Sequence, residues 1–77
     1  MVQQRRGEET RSRILEAAVE CFAQRGYDAT GVAEICDRAR VSKGAFYHHF
    51  SSKQALFLEL LERWLAGLDA QIGAARN

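Results

Sequence analysis

The sequence predicts an all-α domain in which three short helices form a bundle and a long fourth helix extends from it, with no sheet. Three observations carry this reading. The chain has no proline, and its long segments are filled with Ala, Leu, Glu, Gln and Arg, the residues that lose least on entering a helix. Apolar residues recur three and four positions apart over most of the length. The breaks between these runs are short, which suits helices that fold back on one another.

Met1 to Gly7 reads as a polar tail. From about Glu9 the residues Ile14, Leu15, Ala18, Val19 and Phe22 give a helical stripe, and Gly26 is placed to end that helix near Arg25 in a left-handed conformation. After the connector Tyr27 to Thr30, a second helix of barely two turns points Val32, Ile35, Cys36 and Ala39 inward. Thr30 or Gly31 is its cap, and Glu34 lies near its positive end. Only three residues separate it from the third helix, so the two meet at a sharp angle, as in a helix-turn-helix. Ser42 caps the third helix, and Phe46 and Phe50, four apart, share its buried face while Tyr47 and His48 face outward. Ser51 or Ser52 caps the fourth. That helix carries Leu56, Phe57, Leu60, Leu61, Trp64, Leu65, Leu68 and Ile72 on one broad stripe, its first half completing the core and its second half, from Trp64, seeking another domain or subunit.

Size and composition exclude several classes of function. With 77 residues, 47% hydrophobic and 27% charged, the chain is one small globular unit, smaller than a typical enzyme. No apolar run approaches the roughly 18 residues of a membrane span, and the start lacks a signal peptide's apolar core, so the expected location is cytoplasmic. Cys21 and Cys36 sit in apolar patterns without a C-x-x-C or a nearby histidine at ligand spacing; they read as reduced core thiols, and no metal site is expected. No carboxylate lies near Ser42, Ser51, Ser52 or the two histidines to orient an imidazole, and no phosphate loop appears. No catalytic residue and no cofactor are therefore expected. The net charge is only +1, yet Arg38, Arg40, Lys43 and Lys53 fall in an acid-free stretch from Arg38 to Leu58, which allows a local positive field.

The series T-G-V-A-E-I-C-D-R-A-R-V-S-K-G-A-F-Y-H-H-F-S-S-K-Q-A-L, from Thr30 to Leu56, resembles the DNA-binding domain of the TetR family of bacterial transcriptional regulators, and I-L-E-A-A-V-E-C-F-A-Q-R-G-Y before it resembles that family's first helix. The resemblance implies a homeodomain-like helix-turn-helix domain over residues 8–68, its motif at 31–50, preceded by a flexible arm at 1–7. Residues 69–77 would then be the end of the fourth helix, leading into a regulatory domain that this chain does not contain. It implies that the third helix enters the major groove while the ends of the second and fourth hold the backbone. Lys43, Gly44, Ala45 and His48 would read bases: Lys43 through guanine N7 and O6 or a phosphate, Ala45 through a thymine methyl, with Gly44 allowing close approach. Gly31, Arg40, Tyr47, His49 and Lys53 would hold phosphates.

The resemblance further implies a ligand-responsive repressor that binds double-stranded DNA with a palindromic operator. It would form a homodimer through the absent C-terminal domain, which would also hold a small-molecule inducer. Two positions depart from the usual pattern. Arg40 stands where the family commonly has a turn glycine, so either it adopts a positive φ under strain or the turn takes another form. Gly31 stands where a threonine is common, removing a side-chain cap. Blander readings stand beside these. Tyr47 would fit a half-buried core position, His49 an internal hydrogen bond, Arg38, Arg40 and Lys43 a solvated face, and Arg5 and Arg6 either a DNA-tracking arm or a plain tail. From a different class, the alternative is a helical protein-interaction module that uses the apolar end of the fourth helix and does not bind DNA.

Overall fold

A computed structural model describes the backbone of residues 2–76 and the side chains of residues 7–68. The four helices are α1 (Val2–Arg25), α2 (Val32–Ala39), α3 (Lys43–His49) and α4 (Lys53–Arg76), with no strand among the described residues. α1 is the organiser, packing against each of the other three.

α1 begins at Val2, so the segment expected as a flexible arm is helical from its second residue. Gln3, Gln4, Arg5 and Arg6 are all good helix formers and nothing among them breaks a helix. The side chains of Arg5 and Arg6 lie outside the described residues. At the other end Gly26 takes φ 84° and its N–H donates to the Phe22 carbonyl at 2.8 Å, the single-bond left-handed stop that a glycine permits. Buried Thr30 completes this end, its hydroxyl proton shared between the Gly26 carbonyl at 2.8 Å and the Cys21 carbonyl at 3.2 Å. Gly31, in extended backbone, therefore holds the N-cap position of α2, and Thr30 secures the end of α1 instead.

The core is built by Ile14, Leu15, Ala17, Ala18 and Cys21 of α1, Ile35, Cys36 and Ala39 of α2, Phe46 of α3, Phe50, and Leu56 of α4. Val19, expected inside, is 50% exposed: Ala17 and Cys21 turn the buried stripe of α1 away from it by more than a quarter turn. A second apolar cluster joins Phe22, Tyr27 and Phe57, with ring centroids 4.9–5.8 Å apart, and closes the gap between the α1–α2 connector and α4. Burial pushes both cysteine thiols upward from their ordinary pKa, so they stay protonated and unreactive.

α4 carries two apolar faces where the sequence suggested one stripe. Leu56 is buried, Leu60 is half-buried against the core, and Phe57 is half-buried against Phe22 and Tyr27. Leu58, Leu61, Leu65 and Leu68 lie on a face rotated by roughly a third of a turn, and all four are exposed, as is Trp64. Leu61 thus belongs with the outward face. The described side chains end before Ile72.

Candidate nucleic-acid interface

The candidate surface depends on how α2 and α3 are stopped and started. Arg40 adopts φ 60°, ψ 48°, the left-handed region that glycine favours. Around it the turn is a full Schellman motif: the Arg40 N–H donates to the Asp37 carbonyl at 3.2 Å and the Val41 N–H to the Cys36 carbonyl at 3.0 Å, with Val41 packed on the core. The departure from glycine is therefore met by strain, and the turn keeps its form. Arg13 of α1 donates to the Ala39 carbonyl at 2.8 Å and the Arg40 carbonyl at 3.0 Å, satisfying the last acceptors of α2.

α3 starts where Ser42 Oγ accepts from the Ala45 N–H at 3.0 Å. Phe46, fully buried, anchors it, and Phe50 comes next to the helix end in extended conformation, with its N–H donated to the Phe46 carbonyl at 2.8 Å. This orientation leaves Lys43, Gly44, Tyr47 and His48 exposed and Ala45 half-buried along one side. Tyr47, 52% exposed, lays its ring edge-on to Phe46 at 5.1 Å and directs the rest outward. His49 is half-buried; burial first, then its electrostatic neighbours His48 and Arg11, lower its imidazole pKa below the usual value and favour the neutral ring. Gly44 takes no positive φ, and a Cβ there would meet only Ser42 Oγ at an ordinary 3.7 Å. The fold itself does not require glycine at this position.

α4 starts the same way, with Ser52 Oγ accepting from the Ala55 N–H at 3.0 Å, which settles the choice between Ser51 and Ser52. Lys53 at its first turn is not a free surface cation. Its ammonium donates to the Tyr27 carbonyl at 2.7 Å and the Thr30 carbonyl at 3.0 Å and sits 4.1 Å from the Tyr27 ring centroid. It latches the α1–α2 connector to α4 and keeps one N–H for an external acceptor. Gly31, exposed at the start of α2, brings bare backbone to the same end of the domain as this connector.

The positive field is narrower than the acid-free stretch suggests. Arg38 is turned back to α1, where it pairs with Glu20 at 3.1 Å and with the Gln24 amide oxygen at 3.2 Å, so it adds little to that field. An acid distant in sequence neutralises it. The side chains of Arg40 and Lys43 have no hydrogen-bond or ion-pair partner among the described residues. No cluster of His, Cys, Asp and Glu able to hold a metal occurs among the described residues, and no helix of the described residues is long and apolar enough to cross a membrane.

Two arginines that composition did not single out frame this surface. Arg11 donates to the His49 carbonyl at 3.2 Å, pairs with Glu59 of α4, and lies 4.5 Å from the Phe50 ring centroid. Arg13 frames the other side through its bonds to the final carbonyls of α2. A signal for Arg11 was present, since it stands three and four residues before Ile14 and Leu15, on the face of α1 that becomes the buried stripe.

Known proteins share this sequence pattern and fold. Residues 14–60 match the family model for bacterial regulatory proteins of the tetR family. The HTH-type transcriptional activator FasR of Mycolicibacterium smegmatis is 51% identical over 68 residues, covering 88% of this chain and 31% of that protein. The HTH-type transcriptional repressor KstR2 of Mycobacterium tuberculosis is 44% identical over 70 residues, covering 91% of this chain and 32% of that protein. A crystal structure of a transcriptional regulator described as a TetR/AcrR family member superposes with a TM-score of 0.76 at 31% identity, covering 87% of this chain and 37% of that one. The chain spans about a third of the length of these relatives. With more than half of its residues inside the family match and all four helices in the corresponding fold, this chain belongs to the TetR family of bacterial regulatory proteins.

Proposed function

We propose that the chain is the sequence-specific DNA-binding module of a transcriptional regulator. One observation carries the reading: α3 is capped, anchored by Phe46 and acid-free, and it presents Lys43, Gly44, Tyr47 and His48 to solvent on a surface the core does not use. α3 lies in the major groove, with Lys43 and Ala45 at base edges, Gly44 letting the helix approach, and His48 reading the next position. Gly31 and the first turn of α4 offer backbone N–H groups to phosphates, joined by Tyr47, His49, Arg40 and the spare donor of Lys53. The phosphate contacts set register and the α3 contacts set sequence.

The full-length regulator is cytoplasmic and binds a palindromic operator as a homodimer, with two recognition helices about 34 Å apart. It releases DNA when a small molecule occupies its C-terminal domain. Relatives carry both "activator" and "repressor" in their names, and repression is the sign we propose here. The exposed Leu61, Trp64, Leu65 and Leu68 give the protein-interaction reading its one supporting observation, and they accommodate both roles in one chain.

Salt separates the two readings. Duplex binding measured between 0.05 and 0.2 M salt by fluorescence anisotropy should weaken with a slope of about 0.9 log units per phosphate contact. Binding that ignores salt would hand the surface to α4.

A further inference from the structure

α3 is too short to hold itself together, so its placement is imposed from outside. Ser42 fixes its N-terminal end and Phe46 its depth in the core. Its C-terminal end has an orphan carbonyl at His49, and the partner of that carbonyl is the Arg11 guanidinium, reaching across from α1. The same guanidinium lies over the Phe50 ring and pairs with Glu59, whose carboxylate also faces Arg63 at 3.7 Å. Three elements thus meet at one planar fork, and the fork geometry is what lets a single side chain serve a carbonyl and a carboxylate together.

We infer that Arg11 is a positioning residue for the recognition helix, and that Glu59 sets it. Resting on the DNA-binding reading above, this makes operator affinity depend on an acid of α4 that touches no DNA. Without Glu59 the guanidinium is free to leave the His49 carbonyl, and the end of α3 that carries Tyr47, His48 and His49 loses its stop. With Ser42 and Phe46 holding the other end, a shift there re-aims Tyr47 and His48 about that anchor.

The sign of one substitution tests this. Removing an acid from a DNA-binding protein strengthens binding if its charge is all that matters, because less repulsion faces the phosphates. Glu59→Gln should instead weaken binding to a short mixed-sequence duplex three- to fivefold, with the slope against salt unchanged. Arg11→Gln should weaken it about tenfold, again at constant slope, and Arg11→Lys should recover only part of this because an ammonium lacks the fork. Each is measured well below its melting midpoint, read by circular dichroism, and Glu59→Gln and Arg11→Lys carry the test if Arg11→Gln does not fold. Tighter or unchanged binding by Glu59→Gln overturns the inference. A slope reduced by about 0.9 in Arg11→Gln also overturns it, marking Arg11 as a direct phosphate ligand. Failure of the unsubstituted chain to show salt-dependent binding would instead refute the DNA-binding reading beneath it, a distinct result.

Discussion

Arg40→Gly should make the domain more stable and a poorer DNA binder at once. Arg40 sits at φ 60°, ψ 48°, where a residue with a Cβ is strained by about 1–2 kcal/mol. Glycine removes that strain but frees the unfolded chain, which takes back roughly 0.4–1 kcal/mol. The net gain is about 0.5–1 kcal/mol, or ~3–6 °C in Tm for a domain of this size. The turn itself survives, because the bonds from Arg40 and Val41 to Asp37 and Cys36, and those from Arg13, all use backbone atoms of the turn. Affinity should fall together with the salt slope. Removing one cation that neutralises a phosphate lowers the slope by about 0.9, roughly an eightfold weakening at 0.1 M salt. Arg40→Asn is the control, since it tolerates the left-handed region yet carries no charge, and it should bind as weakly as Arg40→Gly with a smaller gain in Tm. Thermal melts followed by circular dichroism and anisotropy titrations at several salt concentrations check both halves. A Tm that falls with Arg40→Gly refutes the strain argument, and an unchanged slope refutes the phosphate role.

The same geometry fixes other outcomes. Gly44→Ala should leave Tm level or raise it by up to about 1 kcal/mol equivalent, since space for the methyl exists, while weakening duplex binding; a binding curve matching wild type would show that close approach is not needed there. Lys53→Met should cost stability as well as affinity, about 1–2 kcal/mol in a urea melt, because two carbonyls of the connector lose their donor. Leu56→Ala should cost about 2–5 kcal/mol and Leu65→Ala under about 0.5, a contrast that chemical denaturation reads directly. His49 titrates below its ordinary value of about 6.5. The unfolded chain therefore takes up the proton first, and the free domain should lose stability as pH falls from 6.5 through the folded value. A phosphate beside His49 favours the charged form, so duplex affinity should rise over the same interval, and titrations at stepped pH should show these opposite signs.

The helices were legible because their punctuation is local. Ser42 followed by Lys43 to Ala45, Gly26 after Arg25, and the spacing of Phe46 and Phe50 each act within one turn, and the structure shows each acting so. The hidden features were long-range. Arg38 falls in an acid-free stretch of sequence, but the acid that neutralises it is on α1, eighteen residues earlier. Lys53 reads as a helix-start cation, and only the fold brings the Tyr27 and Thr30 carbonyls to it. Thr30 reads as a cap for α2 because it stands close to that helix in the chain, whereas the Cys21 and Gly26 carbonyls that take its hydroxyl proton reach it only after the turn has closed. Two faces of α4 merged into one apparent stripe because leucines occur at both 3.6-residue phases. In the candidate interface, α3 was read almost entirely from its own residues, whereas Arg11 and Arg13, which hold its frame, come from a helix whose sequence speaks mainly of the core.

An amide NMR titration of the chain with a short mixed-sequence duplex at low salt tests the central claim most directly, since it reports weak binding residue by residue. Shift changes are expected at Gly31, Arg40, Lys43 to His49 and Lys53, all reversed by added salt, with Leu61 to Leu68 silent. Changes confined to α4, or none in a folded chain, would contradict it.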